Sequence, residues 1–297
     1  MKHQIRTLLF GALVASAFAA AGPAAAQSYT FKTVNLPQFN TGPYRYMISI
    51  TGANMVLAQG DQSFTAVACW IINTATGQST LLTNPLADTL RTNCIAGNAS
   101  GQVLGAYTTS TGNEFNFIYQ NGVYKNFITV NGITNAAPLA ISQSGIIVGG
   151  IIDSPAVTFI QNGSSYTTFT VPGLPYAGPT AVNNSGQIVI LGLDGKGGEF
   201  SYLKTGASLR LISYPGSLYT EANAINNLGQ VAGTYVDSTG NTRGFVYDSK
   251  TRAYRTIDAP NDAYTTLSGI DDQGTLIGAT RANGADNYTL FQANKKP

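Results

Sequence analysis

The chain has 297 residues, with 16 Lys+Arg against 14 Asp+Glu. That near balance, equal once Lys2 and Arg6 of the N-terminal segment are set aside, argues against a nucleic-acid or anionic-membrane partner, since either needs a net basic surface. Low charge with abundant Thr, Ser, Asn and Gly fits an extracellular β-protein, long enough for a large core in one closed repeat array.

The N-terminus reads as a targeting segment. Lys2 and Arg6 precede an apolar run from Leu8 to Ala21, and Ala24-Ala25-Ala26 supplies the small residues of a cleavage site. Residues 1–26 are therefore expected to be a signal peptide, giving a secreted or periplasmic product that begins near Gln27. A membrane anchor is the weaker reading, because the run is short and ends at Gly22-Pro23. No later apolar run is long enough to span a bilayer. Cleavage would remove Lys2, Arg6 and His3, the one histidine, leaving 14 basic and 14 acidic residues. A chain without histidine excludes Ser-His-Asp triads, Cys-His pairs and His-ligated zinc or copper. No cofactor and no metal site is expected.

Tyr29 to Pro37 alternates like a strand. Cys69 and Cys94 follow as the only cysteines. In an oxidising compartment an even count suggests a disulfide, with two separately buried thiols as the alternative.

The rest of the chain is a repeat. Its clearest copy is Ala224 to Pro260, which reads as four short strands. The turn residue of Asn226-Asn227-Leu228-Gly229-Gln230-Val231 recurs at Gly274, Gly186, Gly145, Gly101 and, most divergently, Asn54. The spacings are 47, 44, 41, 43 and 45 along the chain. A hairpin turn needs a residue at positive φ, which Gly adopts freely and Asn at modest cost. A second Gly four residues on recurs at Gly105, Gly149, Gly233 and Gly278, but is replaced at Ala58 and Ile190. It suggests close backbone approach near a crowded axis. An aromatic third strand and an alternating fourth strand complete each copy.

The last copy stops after its third strand. Tyr29 to Pro37 resembles the fourth strand of another copy, Tyr254 to Pro260, and is predicted to close the last blade and hide its edge. The expected fold is an all-β, six-bladed β-propeller with four strands per blade, in one domain over 27–297.

Asn226 to Tyr235 is close to the "GINNSGQIVGYY" pattern of the bacterial HAF-type extracellular repeat family. Pro215 to Ala222 is similar to that family's inter-repeat linker. The name-giving His-Ala-Phe stands here as Arg243-Gly244-Phe245. The resemblance implies secretion and a propeller-like fold, but no settled activity. The signatures of WD40 and kelch repeats do not recur.

Loops between repeats carry Tyr44 and Tyr46, Tyr176, Tyr219 and Tyr264, which suit a channel mouth. Leu90 and Ile133 hold the place in copies two and three. The tyrosines could bind sugar rings or a protein partner, or wedge between blades as core. Glu221 lies two residues after Tyr219. Asp88, Glu114, Asp194, Glu199, Asp237, Asp262 and Asp286 are predicted on the same face, either as site acids or as solvated turn caps. Asp271-Asp272 reads as an Asx-type turn. Asp237 to Asn241 lacks the acids of a calcium loop. Trp70 reads as inter-blade core.

The leading expectation is a monomeric binding module that takes a glycan or protein through Tyr44, Tyr176, Tyr219, Glu221 and Tyr264. The alternative is a carboxylate-dependent enzyme acting on polysaccharide, a chemistry that needs only two suitably placed acids.

Overall fold

The computed structural model describes residues 29–34, 45–52, 55–63, 66–88, 91–127, 136–151, 154–194, 196–260, 264–281 and 288–296. The expected signal segment 1–26, Tyr44, Asn54, Leu90, Ile133, Asp262 and Asp286 lie outside these residues. The described chain is all β.

An N-terminal strand, β1 (Tyr29–Thr33), is followed by four antiparallel sheets of four strands. The first is β2 (Arg45–Gly52), β3 (Met55–Ser63), β4 (Ala66–Asn73) and β5 (Ser79–Leu82). The second is β6 (Thr92–Gly97), β7 (Val103–Thr108), β8 (Glu114–Gln120) and β9 (Val123–Asn126). The third is β10 (Ala136–Ile141), β11 (Ile147–Ile151), β12 (Ser154–Asn162) and β13 (Ser165–Thr170). The fourth is β14 (Tyr176–Val182), β15 (Ile188–Leu193), β16 (Glu199–Thr205) and β17 (Ser208–Ile212).

The remaining strands are β18 (Tyr219–Ile225), β19 (Gln230–Val236), β20 (Thr242–Asp248), β21 (Tyr254–Ile257), β22 (Tyr264–Ile270), β23 (Leu276–Arg281) and β24 (Thr289–Lys295). With β1 they form one eight-stranded mixed sheet. Its two parts join where β20 and β22 begin, through a parallel pairing of Thr242 with Tyr264. The expected six-bladed propeller with four strands in every blade is therefore corrected. Four sheets have four strands each, and the last two repeats share a single sheet. Repeat spacing counts strands, but it does not reveal where neighbouring backbones come close enough to bond.

Strand β1 lies antiparallel to β24, from Tyr29 opposite Lys295 to Thr33 opposite Phe291. The Val34 N–H continues the ladder by donating to the Leu290 carbonyl at 2.9 Å. Phe31 meets Phe291 edge to face, with ring centroids 5.1 Å apart. An edge strand that would otherwise present unpaired backbone groups is thus covered.

The first strand of each run, β2, β6, β10, β14, β18 and β22, packs on the next, and β22 returns to β2. These strands surround a channel. Each carries a bulge at an equivalent place, for example between Ala222 and Ala224 and between Leu267 and Gly269. The second glycine of the repeat sits opposite that bulge. Gly105, Gly149, Gly233 and Gly278 each face Phe117, Phe159, Phe245 or Phe291 on the third strand. A Cβ on any of them would overlap the ring and the first-strand carbonyl. The crowding predicted at the axis is thus within each sheet instead. Where Gly is replaced, the aromatic changes too: Ala58 faces Trp70 and Ile190 faces Tyr202. Trp70, 5% exposed, packs with Ile72, Ile277 and Leu290 as core between sheets.

The Asn residues of the repeat join one hairpin to the next. Asn226 Oδ1 accepts from the Gln230 N–H, and its Nδ2 donates to the Asp271 carbonyl at 2.9 Å. Asn183 Nδ2 donates likewise to the Asn226 carbonyl, and Asn98 Nδ2 to the Ser142 carbonyl. A second link runs outside the first, through Ser144 N–H to Asn184, Asn184 N–H to Asn227 and Asn227 N–H to Asp272. Asp271 does form the expected Asx turn, accepting from the Gln273 and Thr275 N–H groups. Each buried amide therefore satisfies its own turn and a neighbouring carbonyl together.

Candidate functional site

Up to its bulge each channel-lining strand alternates, so every second residue there faces the channel. On β18 these are Tyr219, Glu221 and Asn223, and on β22 Tyr264, Thr266 and Ser268. All six are half-buried, whereas Thr220, Ala222, Thr265 and Leu267 between them are buried. Counting three residues back from the residues opposite Gly105, Ile190, Gly233 and Gly278 gives Arg91, Tyr176, Tyr219 and Tyr264; the same count in the first and third runs falls outside the described residues. Arg91, not Leu90, thus holds this place in the second run. Tyr176, Tyr219 and Tyr264, read as loop residues, are in fact the first residues of β14, β18 and β22, and Tyr46 is the second of β2.

At the channel end opposite the Asn belt, a cavity of about 920 Å³ is lined by Tyr219, Glu221, Tyr264, Glu114, Asn93 and Thr234, among others. Tyr176 stands apart from it and is 52% exposed. It lines a neighbouring groove of about 550 Å³ with Leu139, Ile151, Leu191, Leu193 and Glu199. Leu139, Pro179 and Thr180 line both spaces, so the two adjoin.

Between them lies an acid pair that sequence spacing did not join. The Tyr219 hydroxyl lies 2.8 Å from Glu199 Oε2 and 3.5 Å from Glu221 Oε2. Glu199 opens β16 and Glu221 lies within β18, twenty-two positions further on by sequence number. One phenol thus holds two carboxylates within two hydrogen-bond lengths of each other. Burial, then the Glu199 and Glu221 charges and hydrogen bonds, push the Tyr219 pKa far up, so it remains a neutral donor. Burial, followed by the nearby Glu199 charge, raises the Glu221 pKa; the Tyr219 hydrogen bond opposes this. Neither acid is in an ion pair among the described residues.

Tyr264 is held differently. Its ring lies 5.3 Å from that of Tyr288, and the Arg281 guanidinium sits over both rings at 5.0 and 5.1 Å. Burial and the adjacent Tyr288 push its pKa up to about 12.

Of the other acids predicted on this face, Glu114 lines the cavity, while Asp194 and Asp237 are occupied by turns. Asp194 Oδ1 accepts from the Lys196 and Gly198 N–H groups. Asp237 caps its loop through the Thr239 and Asn241 N–H groups and pairs with Arg243 at 2.7 Å. The Arg243 hydrogen bond, first among several, holds the Asp237 carboxyl well below its usual range. No group of three or more His, Cys, Asp or Glu suited to a metal occurs among the described residues.

The signal for Glu221 was legible as an i, i+2 pattern with Tyr219. Glu199 was legible only as one loop acid among several. Thr234 and Asn93 carried no signal, because their place follows from strand register.

Cys69 and Cys94 are buried between β4 and β6, with Cα atoms 5.4 Å apart and their sulfurs bonded, and Cys94 also lines the cavity.

No family model matches the chain, and no curated protein does. Among solved structures, it is similar to the β-propeller domain of the Trilobed protease from Pyrococcus furiosus. That match has a TM-score of 0.52 at 12% identity, covering 82% of this chain and 76% of that one. It is also similar to a putative TolB from Agrobacterium tumefaciens, at TM-score 0.53 and 10% identity, covering 85% and 90%. The SapL1 lectin, solved with alpha methyl fucoside, matches at TM-score 0.50 and 9% identity, covering 84% and 96%. At such low identity these likenesses show the fold alone, and that fold is the β-propeller.

Proposed function

We propose that this chain is a secreted or periplasmic binding module that holds a glycan or protein segment at the channel mouth. The observation that carries this reading is the convergence of Tyr219, Glu221 and Tyr264 on one cavity. Half-buried phenols beside an unpaired carboxylate combine apolar area with hydrogen bonding, as a polar ligand requires. The signal-like N-terminus and the resemblance to HAF-type repeats support the location. No helix among the described residues is long and apolar enough to cross a membrane. The lectin among the similar structures lends the glycan option weight by analogy only.

Tyr219→Ala and Tyr264→Ala test it. Each should weaken binding on a glycan array or to a captured protein by about 1–3 kcal/mol. Melting should change little, because both side chains open onto the cavity. A loss of about 3–5 kcal/mol of stability in both would mark them as wedges and remove the site.

A second reading, an enzyme acting on polysaccharide, is favoured by the Glu199–Tyr219–Glu221 arrangement. Close carboxylates are what a mechanism with an acid and a nucleophile uses. Turnover on a polysaccharide panel, lost in Glu221→Gln, would establish it over the binding module.

A further inference from the structure

We propose that the channel mouth binds a peptide segment carrying a lysine or arginine flanked by apolar residues, the cation seated against Glu199 and Glu221. This rests on the binding-module reading and names its ligand class.

The charge argument comes first. The Tyr219 hydroxyl has one proton for two carboxylates, and it approaches only their Oε2 atoms. The Oε1 atom of each acid has no hydrogen-bond partner among the described residues and remains available to a donor. Glu114 is a second carboxylate in the cavity wall beside Glu221, with Glu199 in the adjoining groove. One nearby cation is already engaged: Arg281 lies over the Tyr264 and Tyr288 rings. A guanidinium or ammonium donates to two carboxylates at once, which a neutral sugar hydroxyl does less strongly.

A second observation is independent of the acids. Thr234 is directly opposite Glu221 in the β18–β19 ladder and lines the same cavity. It is 6% exposed, and its Oγ1 has no hydrogen-bond partner. A buried hydroxyl without a partner is costly. A donor entering beside Glu221 would satisfy it.

The third observation selects a peptide over an amine-bearing sugar. Glu199 lines the groove formed by Leu139, Ile151, Tyr176, Leu191 and Leu193, and Tyr219 links it to Glu221 in the cavity. Leu139, Tyr176 and Leu193 there are 37%, 52% and 41% exposed. An apolar trough leading to paired carboxylates matches a side chain with an apolar neighbour and a cationic tip. A sugar ring would leave much of the trough unfilled.

The test is selection of phage-displayed random heptapeptides on the whole protein, followed by calorimetry of the enriched sequences. Enrichment of Lys or Arg beside Leu, Ile, Val or Phe is expected. Replacing the basic residue by Gln, or using the Glu199→Gln/Glu221→Gln protein, should weaken binding about tenfold or more. Leu193→Ser should weaken it as well. Should the double variant fail to fold, the salt dependence of wild-type binding decides. Affinity should fall steeply between about 0.05 and 0.5 M salt. Enriched peptides without basic residues, or binding indifferent to Glu→Gln and to salt, would overturn the cationic ligand and leave a binding module standing. The same holds for glucosamine oligomers bound at the mouth while every basic peptide fails. If no peptide and no glycan binds there, both this inference and the binding-module reading fall.

Discussion

Gly233 lies directly under the Phe245 ring, so closely that a Cβ on the glycine would stand 2.7 Å from Phe245 Cε1 and overlap the Glu221 carbonyl oxygen. The two residues are cross-strand partners on β19 and β20. The glycine is therefore required by a side chain on the next strand and by the Glu221 carbonyl just before the bulge of β18. The ring fills the space that a side chain at 233 would need, and Phe245 is fully buried.

Gly233→Ala should destabilise the protein by about 1–3 kcal/mol, the usual cost of overpacking, or more if the bulge cannot move. Phe245→Leu in the same chain should recover part of that loss. Chemical denaturation of the two single variants and the double variant reads the coupling. Additive effects would mean that the two side chains do not compete for one space.

Removing residues 27–37 takes away β1 and bares the edge of β24. The expected outcome is aggregation or a large fall in melting temperature, because five ladder partners and the Phe31–Phe291 contact are lost. A truncated protein that stays soluble and melts like the longer chain would show that β1 does not hold the sheet.

The Cys69–Cys94 bridge closes a segment with a sequence separation of 25. By the chain-entropy argument it contributes about 3 kcal/mol. Mass spectrometry without reductant should find the linked peptides, and reduction should lower the melting temperature. Two free thiols in the non-reduced protein would contradict this.

Glu221 predicts a pH dependence of stability. Its folded pKa is raised above the ordinary 4.5, chiefly by burial and then by the Glu199 charge. The folded state therefore holds this proton more tightly than the unfolded chain. Its contribution is greatest below the ordinary value and is lost as pH rises through the raised one. Glu221→Gln should remove that decline, so the variant melts higher than wild type at neutral pH and gains less at acid pH. Parallel melting curves across pH would mean that another group is responsible.

What the sequence determined by itself was periodic. Turn residues at positive φ, alternation of period two and the strand-like copy at Tyr29 are local signals, and they identified an all-β repeat array. Gly101, Gly145, Gly186, Gly229 and Gly274 do adopt positive φ, from 74 to 89°. The pairing of Tyr219 with Glu221 was also legible, since residues two apart on a strand share a face. Tertiary structure decided the rest. Whether β20 and β22 bond across a repeat boundary depends on a backbone distance that no spacing encodes. Glu199 and Thr234 reach Glu221 from other strands through sheet register and packing. The repeat places every strand in order along the chain, but the β18–β19 register sets Thr234 opposite Glu221, and packing of β16 on β18 brings Glu199 beside them.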